Sequence, residues 1–205
     1  MAQTMTPSVE SKTTTAGQID KSVANYRALL EKHSREFDSE SVQSVLGQPE
    51  FAGAVFEEFR RRVEAVSNMI VRRVKVNRTQ EPKAVIDATG RVQYVNNDVL
   101  NNMPRGEDED KEVFFFKLGR YISDDDLAKD YELRNLVPDP YAQAQANADD
   151  PAFADEHPNG CHWKDANGKW CYVAFGRWRD GERYVRVDRR AGAWDDRWWF
   201  AGVSK

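Results

Sequence analysis

Three histidines, two cysteines and two runs of aspartate are the residues in this chain whose types could do catalysis or hold a metal. His157 and His162 flank an Asn159-Gly160 turn, with Asp155, Glu156 and Cys161 nearby. No metal-site spacing is met, and ligation needs a fuller set. These histidines and His33 are expected in structural or solvent-facing roles, with no metal and no cofactor. Cys161 and Cys171 bracket an Asn167-Gly168 hairpin. A two-residue Asn-Gly turn would pair Lys164, not Cys161, with Cys171, so a disulfide needs a shifted register or a bulge. Two reduced, mostly buried thiols are expected. A cysteine nucleophile with a histidine partner is the enzymatic alternative. Asp124-Asp125-Asp126 and Asp149-Asp150 read as helix caps and solvated faces, since no Asp-x-Asp-x-Asp-Gly loop accompanies them. The basic residues Arg60, Arg61, Arg62, Arg72, Arg73, Lys75 and Arg78 share their segment with Glu57, Glu58 and Glu64. A solvated helix with i,i+4 pairs accounts for them.

Composition bounds what these residues can serve. Of 205 residues, 40% are hydrophobic and 11% aromatic, enough for a folded core. Net charge is −4, with 8 basic and 5 acidic residues from Arg177 to Lys205 leaving the rest of the chain acidic. A polyanion-binding protein is usually more basic overall, so nucleic acid is not the expected partner. No apolar run approaches the length of a membrane span. The Thr/Ser-rich N-terminus lacks the apolar core of a secretory signal, so cytoplasmic residence is the default expectation. Export or assembly into a phage particle stays open.

The elements that must position these residues follow from periodicity. Residues 1–20 are expected to be a disordered tail, and 21–105 a helical and mixed region. Val23, Tyr26, Leu30 and Phe37 fall near helical spacing, and Phe51 to Ile70 gives one apolar stripe over Glu50–Ile70. Val71 to Val76 alternates like a strand, and Ala88 to Arg91 reads as a turn. The charged loop Pro104–Lys111 is the expected domain boundary. Beyond it, Val113–Leu118 reads as a buried strand. Ser123 caps a helix running to about Leu136, and a second helix covers Tyr141–Asn147. All six tryptophans lie between Trp163 and Trp199, among Asn-Gly and Asp-Gly turns and short apolar runs. That is an antiparallel meander of hairpins, with Trp163, Trp170, Trp178, Trp194 and at least one of Trp198 and Trp199 expected to be buried. The fold class is α+β, with the C-terminal domain at 106–205.

Along Tyr184–Gly192, Val185 and Val187 should point into the core. Tyr184, Arg186, Asp188, Arg190 and Gly192 should point out. Trp194-Asp-Asp-Arg-Trp-Trp-Phe-Ala-Gly-Val203 then returns to an apolar strand.

This stretch, with Phe175-Gly-Arg-Trp-Arg179 and His157-Pro-Asn-Gly-Cys-His-Trp163, resembles the variable proteins of diversity-generating retroelements. That resemblance implies a C-type-lectin-like domain, of the formylglycine-generating-enzyme-like subgroup, displaying a hypervariable ligand-binding surface. In that family a reverse transcriptase replaces template adenines at random, most often in Asn codons. Tyr, Arg, Asp, Gly and Ala can all arise that way. Gly176, Arg179, Tyr184, Arg186, Asp188, Arg190, Ala191, Gly192, Ala193, Asp195 and Arg197 lie in the reachable set. Trp178, Val185, Val187, Trp194, Trp198, Trp199 and Phe200 are what a fixed scaffold would keep. The resemblance covers about Glu112 to Val203. The paired catalytic cysteines of formylglycine-generating enzymes have no counterpart here, so the expectation is a binding protein rather than an enzyme. Its partner would be a protein or cell-surface ligand. The alternatives are an oxidase-type enzyme using Cys161 or Cys171, and a nucleic-acid-binding module using the basic patches.

Overall fold

The computed structural model describes residues 14–66, 68–189 and 192–205, without the side chains of 61 and 64–66. Helix makes up 41% and strand 27%, an α+β composition. The described chain forms two units, one ending at Val66 and one beginning after it.

The first unit is helical. α1 (Ala16–Lys32) starts at Thr15, whose hydroxyl accepts from Gln18 N while the Gln18 side chain reaches back to the Thr15 amide. This capping box begins the helix inside the expected 1–20 tail; residues 1–13 of that tail lie outside the described residues. A 3-10 turn, Ser34–Glu36, leads to α2 (Ser39–Leu46), capped by Asp38. α3 (Phe51–Val66) follows. Arg60 pairs with Glu57 and Arg62 with Glu58 along its surface.

The second unit is built on one sheet. Its elements are β1 (Met69–Lys75), α4 (Pro82–Asp87), β2 (Val92–Val95), α5 (Asn97–Asn101), β3 (Asp110–Lys117), α6 (Asp124–Leu133) and β4 (Leu136–Val137). There follow α7 (Pro140–Asp149), α8 (Phe153–Glu156), β5 (Asn159–Lys164), β6 (Trp170–Arg177), β7 (Arg183–Arg189) and β8 (Trp199–Ser204). The strand order is β1-β3-β8-β5-β6-β7-β2, with β4 also on β8. The antiparallel β3–β8 pair joins the start and end of the 110–204 segment, and β5–β6–β7 form an antiparallel meander as expected, whereas β8, expected to continue it, pairs in parallel with β5 instead.

Further boundaries differ from the sequence expectation. α6, expected to reach about Leu136, stops at Leu133, and Leu136, in β4, pairs with Ser204 of β8. The helix expected over Glu50–Ile70 stops at Val66, because Ile70 pairs with Phe115 across β1–β3 and is buried there. The boundary expected at 105/106 falls inside the sheet unit. β1 runs beside β3, and β2 pairs in parallel with β7. The charged loop is not a linker, because Arg78 holds it. Its guanidinium donates to the carbonyls of Arg105, Glu107 and Asp108 and forms a buried pair with Asp139, which itself caps α7.

Both faces of the central strands are covered, which is why β3 buries four successive residues, Val113 to Phe116. On one face Phe115, Val173, Phe175, Val185 and Val187 share a core with Tyr141, Ala142 and Ala144 of α7. Gln143 and Asn147 of α7 both donate to the buried Asn159 carboxamide on β5. On the other face the rings of Phe116 and Tyr131 meet edge-on, as do those of Trp194 and Phe200.

Since β1 and β2 are the sheet's two outer strands, a fragment of residues 67–205 should unfold cooperatively with a native tryptophan signal. A fragment of residues 106–205, stripped of both, should lose near-ultraviolet dichroism and aggregate. Equal cooperativity of the two in urea would show β1 and β2 to be dispensable.

Candidate functional site

The segment read as a display surface is shaped by one buried indole. Trp194 is fully buried. Its backbone bridges Ile122 in both directions, at 2.8 and 3.0 Å. Its Nε1 donates to Asp124 Oδ1 at 2.9 Å, and His162 Nδ1 meets the same oxygen at 2.9 Å. A carboxylate oxygen accepts, so Nδ1 carries the imidazole proton in this arrangement. The His162 ring stacks on Trp170 at 4.3 Å. Beneath the indole lies Gly160, where a Cβ would sit 2.7 Å from two Trp194 ring carbons. Only glycine leaves that space, so β5 supplies the socket and α6 the acceptor.

From this anchor the neighbouring residues splay outward. Gly192, Ala193 and Arg197 are exposed and Asp195 half-buried, with Arg197 Nε against the Asp195 carboxylate at 3.0 Å. Arg179, in the β6–β7 hairpin, and Arg186 are exposed, and Asp188 is half-buried. Arg190 and Ala191 lie outside the described residues. Val185 and Val187 are fully buried, as the strand alternation requires. The Tyr184 phenol lies within the fields of Arg197, Arg186 and Asp195; burial, the larger effect, raises its pKa against the two arginines.

Two of the expected display positions are not free surface. Tyr184 is 8% exposed, because the Trp178 ring stacks on it at 4.1 Å. Gly176 is buried directly opposite Tyr184, and a Cβ there would lie 2.7 Å from the phenol oxygen. The aromatic ring lies over the glycine, so the two positions are coupled. Trp178 reverses the expectation in the other direction: it is 45% exposed, since it covers Tyr184 from outside the sheet. Trp163, Trp194 and Trp199 are buried as expected, and Trp170 and Trp198 half-buried.

The same face holds a cleft of about 430 Å³ lined by Tyr94, Val95, Asn96, Trp178, Arg186 and Asp188. Tyr94 is exposed, donates to Glu182 at 3.2 Å, and meets both Trp178 and Tyr184 edge-on at 6.5 Å. That bond to the Glu182 carboxylate holds the Tyr94 phenol above its ordinary pKa. Asn96 Nδ2 donates to Asp188 at 3.4 Å. Aromatic walls beside one arginine, one carboxylate and one carboxamide can stack a planar or apolar group and orient it by hydrogen bonds. Tyr94 and Asn96 carry no sequence signal for this role. They arrive through the parallel β2–β7 pairing, from about ninety residues upstream of β7.

Neither thiol is presented as a nucleophile. Cys161 faces Val173 and Cys171 faces Trp163 across the β5–β6 ladder, so they are not paired. Both are buried, and burial pushes the Cys161 thiol well above its ordinary pKa and the Cys171 thiol up. The hairpin turns at Asp165–Gly168 with Gly168 in the left-handed region, which sets this register. Among the described residues no three His, Cys, Asp or Glu side chains cluster as metal ligands. Compared with known proteins, the chain matches no family model, no curated protein and no solved structure.

Gly176→Ala should cost about 1–3 kcal/mol of stability by overpacking against Tyr184. In a Tyr184→Ala background the same change should cost far less, and additive losses in urea melts would disprove the coupling. Asp124→Ala strands the Trp194 and His162 donors in the interior, so a loss of about 2–4 kcal/mol is expected; a loss below 1 kcal/mol would mean they find other acceptors.

Proposed function

We propose that the sheet unit is a ligand-binding module of the C-type-lectin-like kind, and that its exposed residues around Arg179–Arg197 are a surface diversified by a retroelement. The observation that carries this reading is the division of labour along one segment. Arg179, Arg186, Gly192, Ala193 and Arg197 are exposed, all of types reachable by adenine substitution, while Val185, Val187, Trp194 and Phe200 between and after them are buried. The order of elements supports it: strand β3, helices α6, α7 and the one-turn α8 with the two-residue β4 after α6, a three-stranded meander, and a last strand returning to pair with the first. So does the mode of anchoring. Held by Trp194 and the two valines, the segment can change its outward side chains at small cost, since surface substitutions usually shift stability within about 0.5 kcal/mol each. Arginine and tryptophan beside a cleft are the residue types that supply most binding free energy at interfaces.

The ligand is a protein or another cell-surface molecule, taken up through the Tyr94–Trp178 cleft and the arginines around it. Tyr184 and Gly176 serve the scaffold in this reading. Their coupling restricts diversification there to pairs that still pack.

Sequencing the gene across a population of cells carrying it tests the proposal. Substitutions should concentrate in the codons of 179, 186, 188, 190–193, 195 and 197, spare 178, 185, 187, 194 and 198–200, and trace to adenines in a nearby near-copy beside a reverse-transcriptase gene. Absence of such a near-copy would sink the retroelement reading. In the purified protein, Arg179, Arg186 and Arg197 replaced together by Ala should shift stability by no more than about 1.5 kcal/mol. Trp194→Ala should cost about 3–5 kcal/mol. If the triple variant unfolds, those arginines are structural.

A further inference from the structure

Among its described residues the helical unit carries apolar stripes that stand exposed. None of residues 14–60, 62 and 63 is buried. On α1, Ile19, Val23, Tyr26 and Leu30 are 53%, 62%, 43% and 50% exposed. Their spacing of four, three and four is the alternation of a coiled-coil seam, narrower than the stripe a helix shows to a globular core. Phe56, Phe59 and Val63 on α3 repeat it, three then four, and are also exposed. A helix of 17 residues without packing is marginal in water, so the α1 seam calls for a cover. An anionic lipid surface is a poor one, because residues 16–66 hold nine acidic against seven basic side chains. The seam spacing selects another helix.

Charge selects a second copy of this one. In heptad register Asp20 and Arg27 flank the seam on one side, Ser22 and Leu29 on the other. When two α1 helices run antiparallel, each flank faces its own counterpart. Asp20 of either copy then meets Arg27 of the other, twice over by the two-fold axis, and no like charges are opposed. In a parallel pair the two flanks face each other, and Arg27 meets only Ser22. Arg27 is held in its own copy by Glu31 at 2.9 Å, an exposed i,i+4 pair that costs little to exchange.

We propose that this chain self-associates through α1. Two copies pack antiparallel along Ile19, Val23, Tyr26 and Leu30, with reciprocal Asp20–Arg27 pairs. One pair of 17-residue helices falls short of the roughly 1,200 Å² buried in stable complexes, so the association is concentration-dependent. It joins two copies of the sheet unit in one particle, which raises avidity for any multivalent target.

Sedimentation equilibrium of the full chain, loaded up to ~200 µM to cover weak association, tests this. The average mass should climb from 23.5 kDa toward twice that value. Val23→Glu with Leu30→Glu should hold it at the single-chain mass, with near-ultraviolet dichroism unchanged, since all six tryptophans lie in the sheet unit. Asp20→Arg should weaken the dimer about tenfold by opposing like charges, and Asp20→Arg with Arg27→Asp should restore it. A single-chain mass at every concentration, as when α1 folds onto α3 of its own chain, overturns the proposal. So does a dimer that survives the double Glu variant, a trimer or larger assembly, or a charge swap that fails to restore affinity.

Discussion

One carboxylate oxygen, Asp124 Oδ1, accepts from Trp194 Nε1 and meets His162 Nδ1 inside the sheet unit, and the outer face of that unit depends on it. Two donors left in the interior without an acceptor would each cost free energy, so the arrangement is all or nothing. It joins three distant pieces of chain: the first turn of α6, strand β5, and the segment leading to β8. Ser123 caps α6 through the Asp126 amide, which fixes where Asp124 points. Gly160 leaves room for the indole and Trp170 closes over the imidazole. With the indole held, the chain on either side of Trp194 must run at the surface. The exposed side chains of Ala193, Asp196 and Arg197 follow from this anchor rather than from a loop long enough to wander.

The same face shows how far a binding surface can be separated from its scaffold. Arg179, Arg186 and Arg197 project from a buried framework and touch little that folding needs. Tyr184 and Gly176 do not separate in this way. The phenol lies over the glycine and under Trp178, so what strand alternation assigns to the outward face is closed by a neighbour from the hairpin. Alternation decides direction; whether a side chain then meets water depends on what the adjacent turn lays across it. The Tyr94 cleft has the same origin, since β2 reaches this face only by pairing with β7.

The two units rest on different physics. The sheet unit buries both faces of its central strands and links its interior carboxamides, with Gln143 and Asn147 donating to Asn159 Oδ1 and Asn159 donating back to Asn147, while Gln143 Oε1 is left without a partner. The helical unit is held locally, by the Thr15 capping box, the Asp38 cap and i,i+4 ion pairs, each worth about 1 kcal/mol or less. Its apolar stripes remain exposed within the unit, and self-association is the interaction that would bury them.

The sequence by itself determined what local chemistry controls. The Ser123 cap, the second helix over Tyr141–Asn147, the glycine turns, the tryptophan-rich meander, and the inward Val185 and Val187 were all legible, because caps, turns and period-two alternation act over a few residues. The α+β class followed from their order. Tertiary structure alone decided the rest. That β1 and β2 belong to the sheet depends on pairing across tens of residues, for which Met69–Lys75 and Val92–Val95 carry no register signal. The Asp124 run looked like a solvated cap; which of its carboxylates would be buried was settled by an indole seventy residues away. Tyr184 and Trp178 exchanged roles because the Tyr184 ring lies over Gly176 and Trp178, carried by the hairpin, stacks on its outer side; hairpin geometry, not composition, puts the tyrosine underneath.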